Sequence, residues 1–225
     1  MPARTVPLIT DQYYHIFNRG INKQPIFLAI KDYARGKDLI NFYSFANIRI
    51  RFSKFLILSN EKRTEYLENL KKENNKIVEI TSFNLMPNHF HLLIKQLKDN
   101  GISKFMSDFQ NSLTKYLNIK YKRIGHLLQG QFKAVRIEDD EQLLHVNRYI
   151  HINPHTSFIV KDIDALLDYK WSSLPEYLGE VKDEICNKEI ILSHFKDTED
   201  YKKFITDQAD YQRELGKIKH LILEK

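Results

Sequence analysis

The chain has a single cysteine, Cys186, in 225 residues. An internal disulfide is therefore impossible, and a zinc site built on several thiolates is excluded. Long apolar runs are missing as well. None approaches the roughly 18 residues that a membrane-spanning helix needs, and residues 1–10 hold no apolar core of signal-peptide length. The expectation is a cytoplasmic protein with no membrane partner. Glycine (7) and proline (6) are scarce, which argues against a fibrous or low-complexity chain, and 42% hydrophobic residues are enough for a real core. Acid is missing locally. Between Phe109 and Ile137 stand Lys115, Lys120, Lys122, Arg123, Lys133 and Arg136, with no Asp or Glu among them.

What is present leans basic. The net charge is +6 and the isoelectric point about 9.1. Through Gly179 there are 26 basic and 18 acidic residues, whereas residues 180–225 carry 9 and 11. A solvated helix face usually mixes signs, so a one-signed stretch favours a polyanion such as a nucleic-acid backbone.

Apolar spacing gives a coarse secondary structure. Residues 13–19 are aromatic-rich and end at Gly20, as a strand meeting a turn does. Residues 30–42 and 61–74 have helical spacing, while 49–58 fit strand or loop equally. Residues 76–85 and 89–95 flank Met86-Pro87-Asn88 and predict a β-hairpin in the middle of the sheet. Helices follow over 102–121, with Phe105, Phe109, Leu113, Tyr116 and Leu117 along one face, and over 141–152, stopped by Pro154. Between them residues 125–131 form a glycine-punctuated loop. Strands interrupted by helices give an α+β domain over residues 1–179. Residues 180–225 read as a charged, helical C-terminal extension.

Two pairs carry chemistry. His89 and His91 stand two apart on a strand, so both imidazoles face one side while Phe90 faces the other. Two imidazoles so placed can hold a divalent ion; the plainer alternative is one buried and one exposed histidine. Tyr149 and Asn153 stand four apart on a helix and share a face. An amide oxygen can complete a ligand set, and a tyrosine one turn earlier would sit near the metal. On spacing alone, a half-buried tyrosine and an asparagine cap explain that pair as well.

The motifs in order say more. Pro87-Asn88-His89-Phe90-His91-Leu92-Leu93 is followed by Gly125-His126-Leu127-Leu128-Gln129-Gly130-Gln131-Phe132-Lys133 and by Arg148-Tyr149-Ile150-His151-Ile152-Asn153-Pro154. This succession resembles the single-tyrosine HUH transposases, in particular the REP-associated tyrosine transposases. Tyr14-His15-Ile16-Phe17-Asn18-Arg19-Gly20, Trp171-Ser172-Ser173 and Tyr177-Leu178-Gly179 extend the resemblance over residues 12–179.

The resemblance implies a ferredoxin-like antiparallel sheet flanked by helices. It implies a metal pair at His89 and His91, a third ligand at Asn153 and a nucleophile at Tyr149. It implies Mg²⁺ or Mn²⁺ as cofactor, cleavage of single-stranded DNA near hairpins, and a 5′-phosphotyrosine with a free 3′-OH. The DNA path is expected along Lys115, Lys120, Lys122, Arg123, His126, Gln129, Phe132, Lys133 and Arg136, on a monomer or homodimer. Two features depart from the family. Gly130-Gln131-Phe132 stands where Gly-Arg-Phe is usual, and residues 45–75 form a longer span than in compact relatives. Tyr116 and Tyr121 are the rival nucleophiles. The rival functions are a domesticated, non-cleaving hairpin-binding protein and a replication-initiator or relaxase nuclease.

Overall fold

The computed structural model describes residues 7–73, 75–181, 185–207, 209 and 213. The expectations that fall on residues 1–6 and 214–225 lie outside these.

The chain order is β1 (Tyr13–Arg19), α1 (Ile30–Tyr43), α2 (Phe52–Phe55), α3 (Asn60–Lys72), β2 (Val78–Met86), β3 (His89–Gln96), α4 (Gly101–Lys120), β4 (Lys133–Arg136) and α5 (Asp140–Thr156). The short helices α6 (Ile163–Leu167), α7 (Leu174–Tyr177), α8 (Glu189–Leu192) and α9 (Thr198–Thr206) follow. The four strands form one sheet in the order β2-β3-β1-β4, with every neighbouring pair antiparallel. Two βαβ units interleaved in this way make the expected ferredoxin-like sheet.

Alternation along the strands sorts the two faces. Tyr14, Ile16, Phe90, Leu92 and Ile94 are buried on one side, under α1 and α4. There Phe90 meets Phe109 of α4 edge-on, with ring centroids 5.2 Å apart. The other face carries His15, Phe17, His89 and His91 and is covered by α5.

Several local expectations change. The hairpin does not sit mid-sheet: β3 is interior, but β2 is an edge strand. Its outer side is met by the segment after α6, where Leu85 N–H donates to Trp171 O (2.8 Å) and Ser173 N–H to Phe83 O (2.9 Å). Residues 49–58 contain a single turn of helix, α2. The strand β4 was not anticipated, because four mostly exposed residues carry almost no hydrophobic pattern.

Helix α5 also runs on through Pro154 instead of stopping before it. Proline removes the N–H that would bond the carbonyl of Ile150. That carbonyl instead accepts a hydrogen bond from Asn84 Nδ2 of β2 at 2.9 Å. The orphaned acceptor is satisfied, and the helix continues to Thr156.

The segment beyond Gly179 packs into the same core. Cys186, Ile191, Tyr201 and Ile205 are all buried in it. Tyr201 of α9 reaches α5, where its hydroxyl donates to Asn147 Oδ1 (2.8 Å) and accepts from His151 Nδ1 (2.7 Å). Ser173 Oγ closes the network on His151 Nε2 at 2.7 Å.

Candidate active site

The turn that presents the histidine pair is held on both sides. Pro87 O accepts from the N–H groups of Ile26 (2.6 Å) and Phe27 (3.0 Å), and Asn88 O accepts from Gly20 N–H (2.7 Å). Residue 20 must be glycine, since a Cβ there would lie 2.1 Å from Gln24 O. Opposite the histidines, α5 starts at a capped end: Asp139 Oδ1 accepts from Gln142 N–H (2.7 Å) and Gln142 Oε1 from Glu138 N–H (2.7 Å). Its far end is tied down by the Asn84–Ile150 bond.

His89, His91, Tyr149 and Asn153 meet in one cleft of about 450 Å³, together with His15, Phe17 and Arg19. The rings of His89 and His91 are 5.0 Å apart, and Tyr149 stands edge-on to His91 at 5.4 Å. Tyr149 is 45% exposed, so its ring is open to a ligand, whereas Asn153 is buried.

The electrostatics favour neutral imidazoles. Burial, helped by the Arg19 charge and opposed by a hydrogen bond donated to Asn153, lowers His89 to about 4. Burial and the neighbouring His15, His89 and Arg19 charges push His91 well below its ordinary value. Tyr149 moves the other way. Burial raises its hydroxyl pKa, against opposing contributions from Asn153 and Arg19, so the hydroxyl rests protonated.

Among the described residues, no group of three His, Cys, Asp or Glu side chains is placed to share a metal ion. The nominated set has two imidazoles and an amide, and its donor chemistry fits a divalent cation. His89 Nδ1 lies 2.6 Å from Asn88 Oδ1, and His91 Nδ1 lies 2.9 Å from His15 Nε2. With both Nδ1–H groups donating, the Nε2 lone pair of each ring is left for a metal, the arrangement usual for ligating histidines. Asn153 Oδ1 accepts from Ser157 Oγ at 2.9 Å and also faces His89, with which it shares a hydrogen bond, so the amide oxygen lies beside the imidazole.

His15 and Arg19 are two polar residues of the cleft to which the sequence assigns no role. Both belong to the quoted β1 motif, and the period-2 pattern of β1 was the signal that places them on the site's face. Arg19 pairs in register with His89 and supplies a cation beside it.

The basic stretch does not form one path. Lys133 lies by the cleft, its ammonium 5.9 Å from the Phe17 ring centroid, and Arg136 pairs with Tyr14 further along β4. Lys122, His126 and Gln129 are exposed around the 125–131 loop, which is pinned where Gln129 N–H donates to Arg19 O (2.9 Å). Arg123 Nη2 reaches Gln24 Oε1 at 3.4 Å, and Phe132 is half-buried against the core. Lys115 and Lys120 lie elsewhere, on α4. Lys120 is ion-paired with the buried Asp32. The rival tyrosines bind that same carboxylate, Tyr116 at 3.2 Å and Tyr121 at 2.6 Å, so neither belongs to the histidine cleft. His151, inside the tyrosine motif, is fully buried and structural.

Residues 53–153 match the model of the IS200-like transposases. The match covers under half of the chain but contains the histidine pair, α4, the glycine-punctuated loop and the helix of Tyr149 and Asn153. A solved structure titled as the REP-associated tyrosine transposase bound to a REP hairpin has the same fold, with a TM-score of 0.55 at 16% identity. The alignment covers 83% of this chain and 94% of that one. No curated protein matches significantly. The transposase resemblance read from the motifs is borne out, and the solved structure supports the fold. No helix among the described residues is long and apolar enough to cross a membrane.

Proposed function

We propose that this protein is a metal-dependent transposase that cuts and rejoins single-stranded DNA beside a hairpin, using Tyr149 as the nucleophile. The observation that carries the reading is the convergence of His89, His91, Tyr149 and Asn153 in one cleft, within a segment matched to IS200-like transposases. His89, His91 and Asn153 would hold Mg²⁺ or Mn²⁺, with nitrogen donors suiting Mn²⁺ somewhat better. Such an ion supplies Lewis acidity toward a non-bridging phosphoryl oxygen.

The protein's own groups do the rest. Tyr149 Oη forms the new bond to phosphorus and releases its proton to solvent. The bond from phosphorus to the 3′-oxygen breaks, and that oxygen takes a proton from solvent and leaves as a free 3′-OH. The 5′ end stays on Tyr149 as a phosphodiester of similar energy, so a later 3′-OH can reverse the step without a nucleotide cofactor. Arg19 places a fixed cation where charge develops on the phosphoryl group. Lys122, Arg123, His126, Gln129, Phe132, Lys133 and Arg136 form the approach for DNA, with phosphate contacts positioning the strand. The reading takes residues 1–179 as the catalytic domain, acting in the cytoplasm as a monomer or homodimer. A denaturing gel with labelled hairpin-bearing single-stranded DNA tests it. A metal-dependent covalent adduct is expected, whereas tight binding without any adduct would leave a non-cleaving hairpin-binding protein.

A further inference from the structure

A second groove lies on the opposite side of the sheet, between α1, α2 and α4. It has a volume of about 580 Å³ and contains Arg35, Arg51, Tyr43, Lys115 and the exposed Ile119. Through Tyr43, Arg51 and Asp108 it continues into a neighbouring cleft of about 400 Å³ that adds Arg49, Lys104, Ile48 and Ile50. The two together are larger than the catalytic cleft and share no residue with it.

The charge of this trough is one-sided. Arg35, Arg49, Arg51, Lys104, Lys115 and Lys120 face it against one carboxylate, Asp108. That carboxylate is paired with Lys104 at 2.8 Å, and Lys120 is paired with Asp32. Among the described residues, no ion pair engages Arg35, Arg49, Arg51 or Lys115. The Arg35 guanidinium lies against two rings, 4.5 Å from the Tyr116 centroid and 4.9 Å from that of Phe52. The loop bearing Arg49 and Arg51 is fixed as well: Ala46 N–H donates to Asn75 O (2.5 Å) and Arg49 N–H to Tyr66 Oη (3.2 Å). This loop belongs to the 45–75 span that links α1 to β2.

We infer that this trough binds a single-stranded DNA segment flanking the cleaved hairpin. A basic rim over an aromatic and aliphatic floor suits unpaired bases, which a single strand offers and a duplex withholds. The inference rests on the transposase reading, because it takes the same DNA molecule as ligand.

The test compares a minimal hairpin, carrying only the few unpaired nucleotides around the cleavage site, with the same hairpin carrying a long single-stranded flank, using the full chain and an R49A/R51A double variant. Neither arginine lies in the catalytic cleft, and both are exposed. For the flanked DNA, loss of two phosphate contacts lowers the salt slope of binding by about 1.4. Adduct formation on the minimal hairpin should stay unchanged, and R49K/R51K should restore most of the slope because the charge returns. Equal losses on both DNAs would overturn the flank assignment, as would no loss on either, or the same loss when the flank is duplex. If the unaltered protein binds neither DNA, the transposase reading itself fails and the groove assignment falls with it.

Discussion

Replacing Tyr201 by Phe removes one oxygen and nothing else, yet that oxygen serves two fully buried partners. Asn147 Oδ1 loses its donor at 2.8 Å and His151 Nδ1 loses its acceptor at 2.7 Å. Water cannot replace either bond without opening the contact between α5 and α9. A buried polar group left unpaired costs ~1–3 kcal/mol, so the two together should cost about 3 kcal/mol. For a chain of this size that lowers the melting midpoint by roughly 6–12 °C. Calorimetry on Y201F, with urea unfolding to confirm an unchanged m-value, reads the effect directly. A loss under about 0.5 kcal/mol, the size of an ordinary surface change, would refute the claim that α9 is clamped onto the helix of Tyr149.

Further outcomes follow from other contacts. Burial holds His151 at about 3, against an ordinary 6.5. The unfolded chain therefore takes up a proton first, and stability should fall as pH drops from about 6.5 toward 3; a flat urea midpoint between pH 7 and 5 would contradict this. Asn84→Ala should cost ~1–3 kcal/mol by orphaning the Ile150 carbonyl. Pro154→Ala in the same chain should recover part of that loss by returning an N–H, and strict additivity in the double-mutant cycle would disprove the pairing. His15→Phe removes the acceptor for His91 Nδ1 and should weaken Mn²⁺ binding about 10–100-fold, read by titration calorimetry. Unchanged affinity would mean that His15 does not orient the ligand.

The fold was largely legible because β1, the hairpin and α4 each carry a clear period, with Phe90 and Phe109 on the faces that meet. His89, His91, Tyr149 and Asn153 stand out through the motifs, since spacing alone leaves the last two as a half-buried tyrosine and a cap. What stayed hidden depends on partners far away in sequence. The bond from His15 to His91 spans 76 residues and that from His151 to Tyr201 spans 50, and no local pattern encodes either. Pro154 read as a helix stop because the rescuing amide, Asn84, sits 66 residues from Ile150. The one-signed stretch divides between two faces for a related reason. A run of charge has no direction until the chain folds, and here α4 carries Lys115 and Lys120 to one face of the sheet while β4 carries Lys133 to the other.

The most direct test of the mechanism is Tyr149→Phe, assayed for a covalent protein–DNA adduct on hairpin-bearing single-stranded DNA with Mn²⁺ or Mg²⁺. The change removes only the hydroxyl from a ring that is 45% exposed, so folding and DNA binding should persist while the adduct disappears. An adduct of undiminished yield from Y149F would contradict the assignment of the nucleophile and, with Tyr116 and Tyr121 bound at Asp32, would leave the cleft without one.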